Sequence, residues 1–170
     1  MARMRSARGF TLIEMLVVML IMGLFVGLVS AIVRPDDRAV LRVEAERLAQ
    51  LLDLAAMQPR LTGRPVAWTA SGPGYLFSQF DQDTGWSEIR DDDVLRARTL
   101  PQGMLVAGLH IENMPPQGAM RLEFSPYGPP PPFNIEIAFG QERYTVAASP
   151  IGDVQVLPGA GNANGNTAPR

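Results

Sequence analysis

The 170-residue sequence contains no cysteine, no lysine and one histidine. Without cysteine there can be no disulfide, no lipoprotein-type anchor and no thiol chemistry, although this absence does not fix the compartment. With one histidine, any Ser-His-Asp triad must use His110. In "AGLHIEN" that residue alternates along an expected strand with no serine, cysteine or carboxylate motif framing it, so it reads as a sheet or surface residue. Without lysine, all 15 basic residues are arginines. Arg3, Arg5 and Arg8 precede Gly9; if that leader is removed, 12 arginines face 17 acids, a formal side-chain charge of −5. No basic patch or aromatic-basic repeat stands out, which gives nucleic-acid binding no support. No cofactor and no metal is expected.

What the sequence does have is a long apolar run near its start. Met15–Val33 holds 19 residues without a charge, enough to cross a hydrocarbon core of ~30 Å as a helix. Arg3, Arg5 and Arg8 precede the run with no acid among them, so the positive-inside rule keeps the amino end in the cytoplasm and sends the remainder outside. Three processing outcomes are compatible with this pattern. One is a cleaved secretory signal with "VSA" at 29–31 as the cut site. Another is an uncleaved single-pass anchor. The third is cleavage within "GF", after Gly9, which leaves the apolar helix on the mature chain.

Glu14 discriminates among them. A carboxylate inside an apolar run costs up to ~3 kcal/mol at mid-helix on translocon scales, less toward an end, and neither of the first two outcomes needs one. An intramembrane acid normally has a partner. Cleavage after Gly9 creates one, the free amine of Phe10. Its own amine lies four residues away, roughly 6 Å along the helix axis, and the amine of a staggered neighbouring copy is the better partner. Glu14 would then act as a register pin, disfavouring packings that leave it unpaired. Gly23 and Gly27 in "GLFVG" are spaced as a small-xxx-small face, continued by Ala31, through which helices can approach closely.

The stretch "RGFTLIEMLVVMLIMGL" resembles the class III signal of type IV pilins and pseudopilins: basic leader, glycine, Phe-Thr-Leu-Ile-Glu, apolar helix. The resemblance implies that a prepilin peptidase cuts after Gly9 and methylates Phe10, and that Glu14 is the assembly glutamate.

Beyond Pro35, which predicts a kink or brief break, Asp36 or Asp37 can cap a second helix running to Gln58 and stopped by Pro59. Leu41, Ala45, Leu48, Leu52 and Ala55 form one apolar stripe. Helix from Phe10 to Gln58 would span roughly 73 Å if straight. After Pro59 come short runs that read as strands: 65–69, 74–80, 104–111, 120–124, 134–139, 142–148 and 153–157, with "FGQE" as a tight hairpin. Prolines 129–132 form a stiff connector, and 158–170 reads as a disordered tail. The expected organisation is leader 1–9, transmembrane helix 10–33, amphipathic helix 34–58, periplasmic β-rich domain 59–157 and tail. The fold class is α+β, a long N-terminal helix packed on an antiparallel sheet domain.

"ERLAQLLDLAAMQPRLTGRPVAW", the "GYLF" strand, "EFSPYGPPPPFNIEI" and "ASPIGDVQV" are similar to minor pseudopilin H of bacterial type II secretion, a pilin-like fold. The chain departs from the family's "LxxARxEA"-like form, reading "LAAMQPR" near residue 58. The resemblance implies a structural component at or near the tip of a periplasmic pseudopilus, assisting export of folded proteins across the outer membrane. Its implied partners are minor pseudopilins of the I, J and K types, the major pseudopilin, the inner-membrane assembly platform, the prepilin peptidase and the inner membrane itself. A minor pilin that primes type IV pili is the nearer alternative. A membrane-tethered or secreted periplasmic enzyme or binding protein is the alternative of another class, and it would need a convergent polar site that the sequence does not display.

Other candidates carry less. In the acidic segment 81–93, Asp81 and Asp83 begin like a calcium loop, but Trp86 stands where the sharp turn needs glycine; a solvated hairpin loop is the expectation. Trp68 reads as core, Trp86 as a candidate interface residue, and 125–132 as a spacer between strands.

Overall fold

The computed structural model describes residues 11–32, 36–149 and 153–159. Its elements are helices α1 (Leu12–Ile32) and α2 (Asp37–Thr62), followed by strands β1 (Val66–Ser71), β2 (Gly74–Asp81), β3 (Gly85–Glu88), β4 (Arg98–Thr99), β5 (Met104–Ile111), β6 (Met120–Phe124), β7 (Phe133–Phe139), β8 (Glu142–Ala148) and β9 (Val154–Pro158). Two compact units result, Met1–Asp36 and Asp37–Arg170. Pro35, expected to mark the break between the helices, lies outside the described residues, as do the leader with Gly9 and Phe10 and the tail from residue 160.

The first unit is described through α1 alone. From Leu12 to Gly27 the helix is apolar on every side apart from Glu14. Its large side chains from Leu12 to Val26 are all exposed within this chain, Leu12 at 84% and Val18 at 44%. A helix hydrophobic all round belongs in lipid or among other apolar helices, not in water.

In the second unit, α2 starts where an aspartate was expected to cap it, with Asp36 in the N-cap position and Asp37 as the first helical residue. All five residues of the apolar stripe are buried, joined by Ala49, Leu51 and Pro59. Pro59 does not stop the helix. It sits in the last turn, where a proline forfeits one i→i−4 bond near an end that already lacks partners. The helix closes instead at Gly63, whose N–H donates to the Pro59 carbonyl at 2.8 Å. With φ of 71°, Gly63 is the left-handed residue that ends many helices and that a Cβ would strain.

The strands make two antiparallel sheets. One has the order β3-β2-β1-β6, with β4 pairing the start of β2; the other runs β5-β7-β8-β9. The seven expected strands are present, within a residue or two at their ends. Two more, β3 and β4, lie in what the sequence presented as loop. The hairpin between β7 and β8 is closed by Gly140 and Gln141, Phe139 facing Glu142. Only Gly140 has positive φ, 59°, the pattern of a type II′ turn. The last strand reaches Pro158, and Gly159 N–H bonds the Arg143 carbonyl at 2.8 Å, so these two residues belong to the sheet rather than to the tail.

One core joins helix and sheets. From β1 come Val66, Trp68 and Ala70, from β2 Tyr75 and Phe77, from β7 Ile135 and Ile137, and from β8 Tyr144 and Val146. The helix α2 packs on β8, β9 and β7 of one sheet and on β1 and β6 of the other. In β5 the inward residues change parity: Met104 and Val106 are buried, then Leu109. The register against β7 shifts between Val106 and Gly108. That bulge turns Leu109 inward, where an unbroken strand would have pointed it to solvent.

Candidate assembly site

Thr11 caps α1. The Glu14 N–H donates to Thr11 Oγ1 at 3.3 Å and lies 3.1 Å from the Thr11 carbonyl, which also accepts from Met15 N–H at 3.3 Å. Thr-x-x-Glu is the capping-box spacing, with an acid at the third helical position favoured by the helix dipole. This role for "TLIE" was not drawn from the sequence, although the signal was there. The bond uses Glu14's backbone only, and its carboxylate has no partner among the described residues. Gly23 and Gly27 are exposed on one face of α1, and a Cβ added at either meets nothing within 4 Å. A carboxylate without a partner among the described residues and two small residues thus lie on a helix whose apolar side chains are exposed.

Over the described residues no helix is long and apolar enough to cross a membrane, the side chains of α1 being described only as far as Gly27. The crossing expected of Met15–Val33 therefore rests on the sequence.

The other candidates fall elsewhere. His110 is exposed on β5. Asp81 and Asp83 sit at the β2–β3 hairpin: Asp81 Oδ1 accepts from Asp83 N–H at 3.0 Å, and Asp81 pairs with Arg64 at 3.3 Å. Among the described residues no group of three or more histidine, cysteine, aspartate or glutamate side chains could hold a metal ion. Trp68 is fully buried, whereas Trp86 is partly exposed. Trp86 packs edge-on against Phe80 at 5.5 Å and lies under the Arg121 guanidinium at 4.1 Å, a cation–π contact.

A model of the prokaryotic N-terminal methylation motif matches residues 4–30, which include the Thr11 cap and Glu14. The chain thus opens as proteins with a processed, methylated amino terminus do, and continues as a helix packed on antiparallel sheets. A model of type II transport protein GspH matches residues 44–152, most of the folded unit. The chain belongs to that family. Two solved structures of the minor pseudopilin EpsH from the type 2 secretion system of Vibrio cholerae share the fold. One is 21% identical with a TM-score of 0.54, covering 69% of this chain and 96% of that one. The other is 22% identical with a TM-score of 0.57, covering 72% and 99%. No curated protein matches the chain. The motif and the family together imply a membrane-anchored pseudopilin that associates with other pseudopilins of the type II secretion system.

Proposed function

We infer that the protein is a structural minor pseudopilin of type II secretion that works at or near the tip of the periplasmic pseudopilus, assisting export of folded proteins across the outer membrane. One observation carries this reading: the methylation motif and the GspH domain follow each other in a single chain. Residues 1–9 serve as the leader, the prepilin peptidase cuts after Gly9, and Phe10 receives the methyl group. Residues 10–33 cross the inner membrane with the amino end in the cytoplasm. The amphipathic helix α2, Asp37–Thr62, then leads into the β-rich domain, which lies in the periplasm. The protein is an assembly component, not an enzyme.

Assembly follows from the properties of α1. In the filament its apolar surface exchanges lipid for other apolar helices, so little hydrophobic free energy separates the two states. Packing along the Gly23–Gly27 face and the pairing of Glu14 with a neighbour's Phe10 amine then decide register. The inner-membrane platform lifts the subunit out of the bilayer, and pseudopilins of the major, I, J and K types are the neighbours it meets.

The test is the intact mass and amino-terminal sequence of the protein from bacterial membranes, with and without an active prepilin peptidase. The expected result is a peptidase-dependent start at N-methyl-Phe10. A start near Ile32, with release into the periplasm, would overturn the reading. Secretion against twitching phenotypes of a deletion separates type II secretion from pilus priming.

A further inference from the structure

Arginine dominates one groove of the folded unit. A cavity of about 310 Å³ opens between α2, the start of β2 and the segment leading into β4, lined by Glu44, Arg47, Tyr75, Arg96 and Arg98 among others. Three guanidinium groups face one carboxylate. Glu44 is already engaged by Arg47 at 2.8 Å. Arg96 is exposed and has no hydrogen-bond or ion-pair partner among the described residues. Arg98 spends one Nη2 hydrogen on the Val94 carbonyl at 3.3 Å, while its Nε is buried with no acceptor. Apart from these two and Arg60, every arginine among the described residues is paired with a carboxylate.

Buried N–H groups left without an acceptor are uncommon because each forfeits a hydrogen bond that water would have given it. Among the described residues two other side-chain N–H groups are in this position. Arg121 Nη2 belongs to the guanidinium stacked on Trp86, and Trp68 Nε1 lies in the core. Only Arg98 Nε belongs to a residue that lines this groove. The Tyr75 phenol beside it is neutral at physiological pH, with burial pushing its pKa further up to about 12, so it presents a donor rather than a negative charge. The three aspartates 91–93 do not line the cavity, and Asp92 Oδ1 is committed to the Val94 and Leu95 N–H groups at 2.7 and 3.2 Å.

The groove continues. Arg47 and Arg98 also line an adjoining depression of about 480 Å³, whose remaining wall is Leu51, Leu54, Met57 and Val94 together with Gln50 and one carboxylate, Asp53. Leu54, Met57 and Val94 are all exposed, Met57 at 52%. A basic half and a half with an exposed apolar patch therefore share a border, and a bound acid must sit toward Arg96 and Arg98, away from Asp53. Simple inorganic anions would satisfy the first half and leave the second uncovered. A peptide strand carrying a carboxylate next to an apolar side chain fits both, because guanidinium groups bind carboxylates through paired, charge-assisted hydrogen bonds.

We propose that this groove is a docking site for an acidic segment of another protein subunit, its carboxylate taken by Arg96 and Arg98 and its neighbouring apolar side chain seated on Leu54, Met57 and Val94. The inference rests on the assembly reading only for the partner's being a fellow subunit; the chemistry of the groove stands by itself.

The experiment uses the full chain in detergent micelles and isothermal titration calorimetry. The probes are an acetylated, amidated hexapeptide alternating glutamate and leucine, its glutamine-for-glutamate counterpart, and sodium sulfate. The acidic peptide is expected to bind, with the glutamine peptide roughly tenfold weaker or worse, since a charge-assisted hydrogen bond is the stronger kind. Arg96→Gln should weaken the acidic peptide by a similar factor, and Leu54→Ser should weaken both peptides. Arg96 makes no contact that folding needs, so its variant keeps the test open if Arg98→Gln destabilises the chain. Equal binding of the two peptides, unchanged binding by Arg96→Gln, or no binding at all would overturn the proposal. Sulfate binding as strong as the acidic peptide would also overturn it, in favour of a free-anion site. The amino-terminal mass of the same preparation reports on processing independently, so failure of the groove and failure of the pseudopilin reading are distinguishable.

Discussion

Replacing Glu14 by alanine and, separately, by glutamine divides two roles that its position allows. The Thr11 cap uses Glu14's N–H, 3.3 Å from Oγ1, and survives either substitution. What the carboxylate adds within its own helix is attraction to the N-terminal dipole, about 0.3–1 kcal/mol, roughly a two- to fivefold effect. Glutamine also satisfies the capping box, so a purely local role predicts a mild alanine variant and a near-normal glutamine variant. The intersubunit pair predicts another pattern. Removing one partner of a buried ion pair costs about 3 kcal/mol because the other charge stays uncompensated, roughly a hundredfold in association. Glutamine then fails almost as badly as alanine, since neither carries the charge that the Phe10 amine needs. The assay combines amino-terminal mass, which reports cleavage and methylation, with immunoblotting of sheared pseudopili, which reports incorporation. Both variants should be processed as the parent is and incorporated more than tenfold less. If glutamine assembles normally while alanine does not, the charge pair is wrong and the helix end is what matters. If both assemble, Glu14 has no role in register.

Three further outcomes concern the folded unit, each measured by urea denaturation of the full chain in detergent. Leu52→Ala empties a position with no exposure and should lower stability by about 2–5 kcal/mol; a loss under about 1 kcal/mol would mean that the stripe of α2 does not hold the sheets. Gly63→Ala meets no atom within 4 Å, so its cost is backbone strain alone, about 1 kcal/mol, and an unchanged midpoint would contradict the left-handed cap. Tyr75, with its phenol held near 12 against an ordinary value of 10.0, keeps a proton in the folded state that the unfolded chain gives up first. Its contribution is therefore full below about pH 10 and falls as pH rises toward 12. Tyr75→Phe should flatten the stability slope between pH 10 and 11.5, and an identical slope in the variant would refute this assignment.

Much of this architecture was legible because its signals are periodic. The α2 stripe follows from spacing alone, and the seven alternating runs became seven strands. Pro59 misled because a proline's cost depends on where in the helix it falls, and Gly63, four residues on, was the stronger stop. The short strand β3 has too few residues to show alternation, and its Trp86 is explained only by Phe80 and Arg121, which reach it from β2 and β6. The β5 bulge was visible in principle as a phase slip in "MLVAGLHI", where apolar residues change parity. Glu14 stood out as a misplaced charge, and the Thr11 cap beside it went unread. The arginine groove could not be foreseen, since Arg47, Arg96 and Arg98 come together only when α2 folds against the segment before β4.

The stripe on α2 also has a mechanical meaning. Leu41 to Ala55 spans about 21 Å of helix, and along that length the helix touches strands of both sheets. A tug along its axis loads those contacts side by side, in shear, rather than one after another as in peeling. The helix behaves as a rod glued along its length between two plates. A subunit hauled by its amino-terminal end would have to rupture that whole seam at once before its domain could unravel.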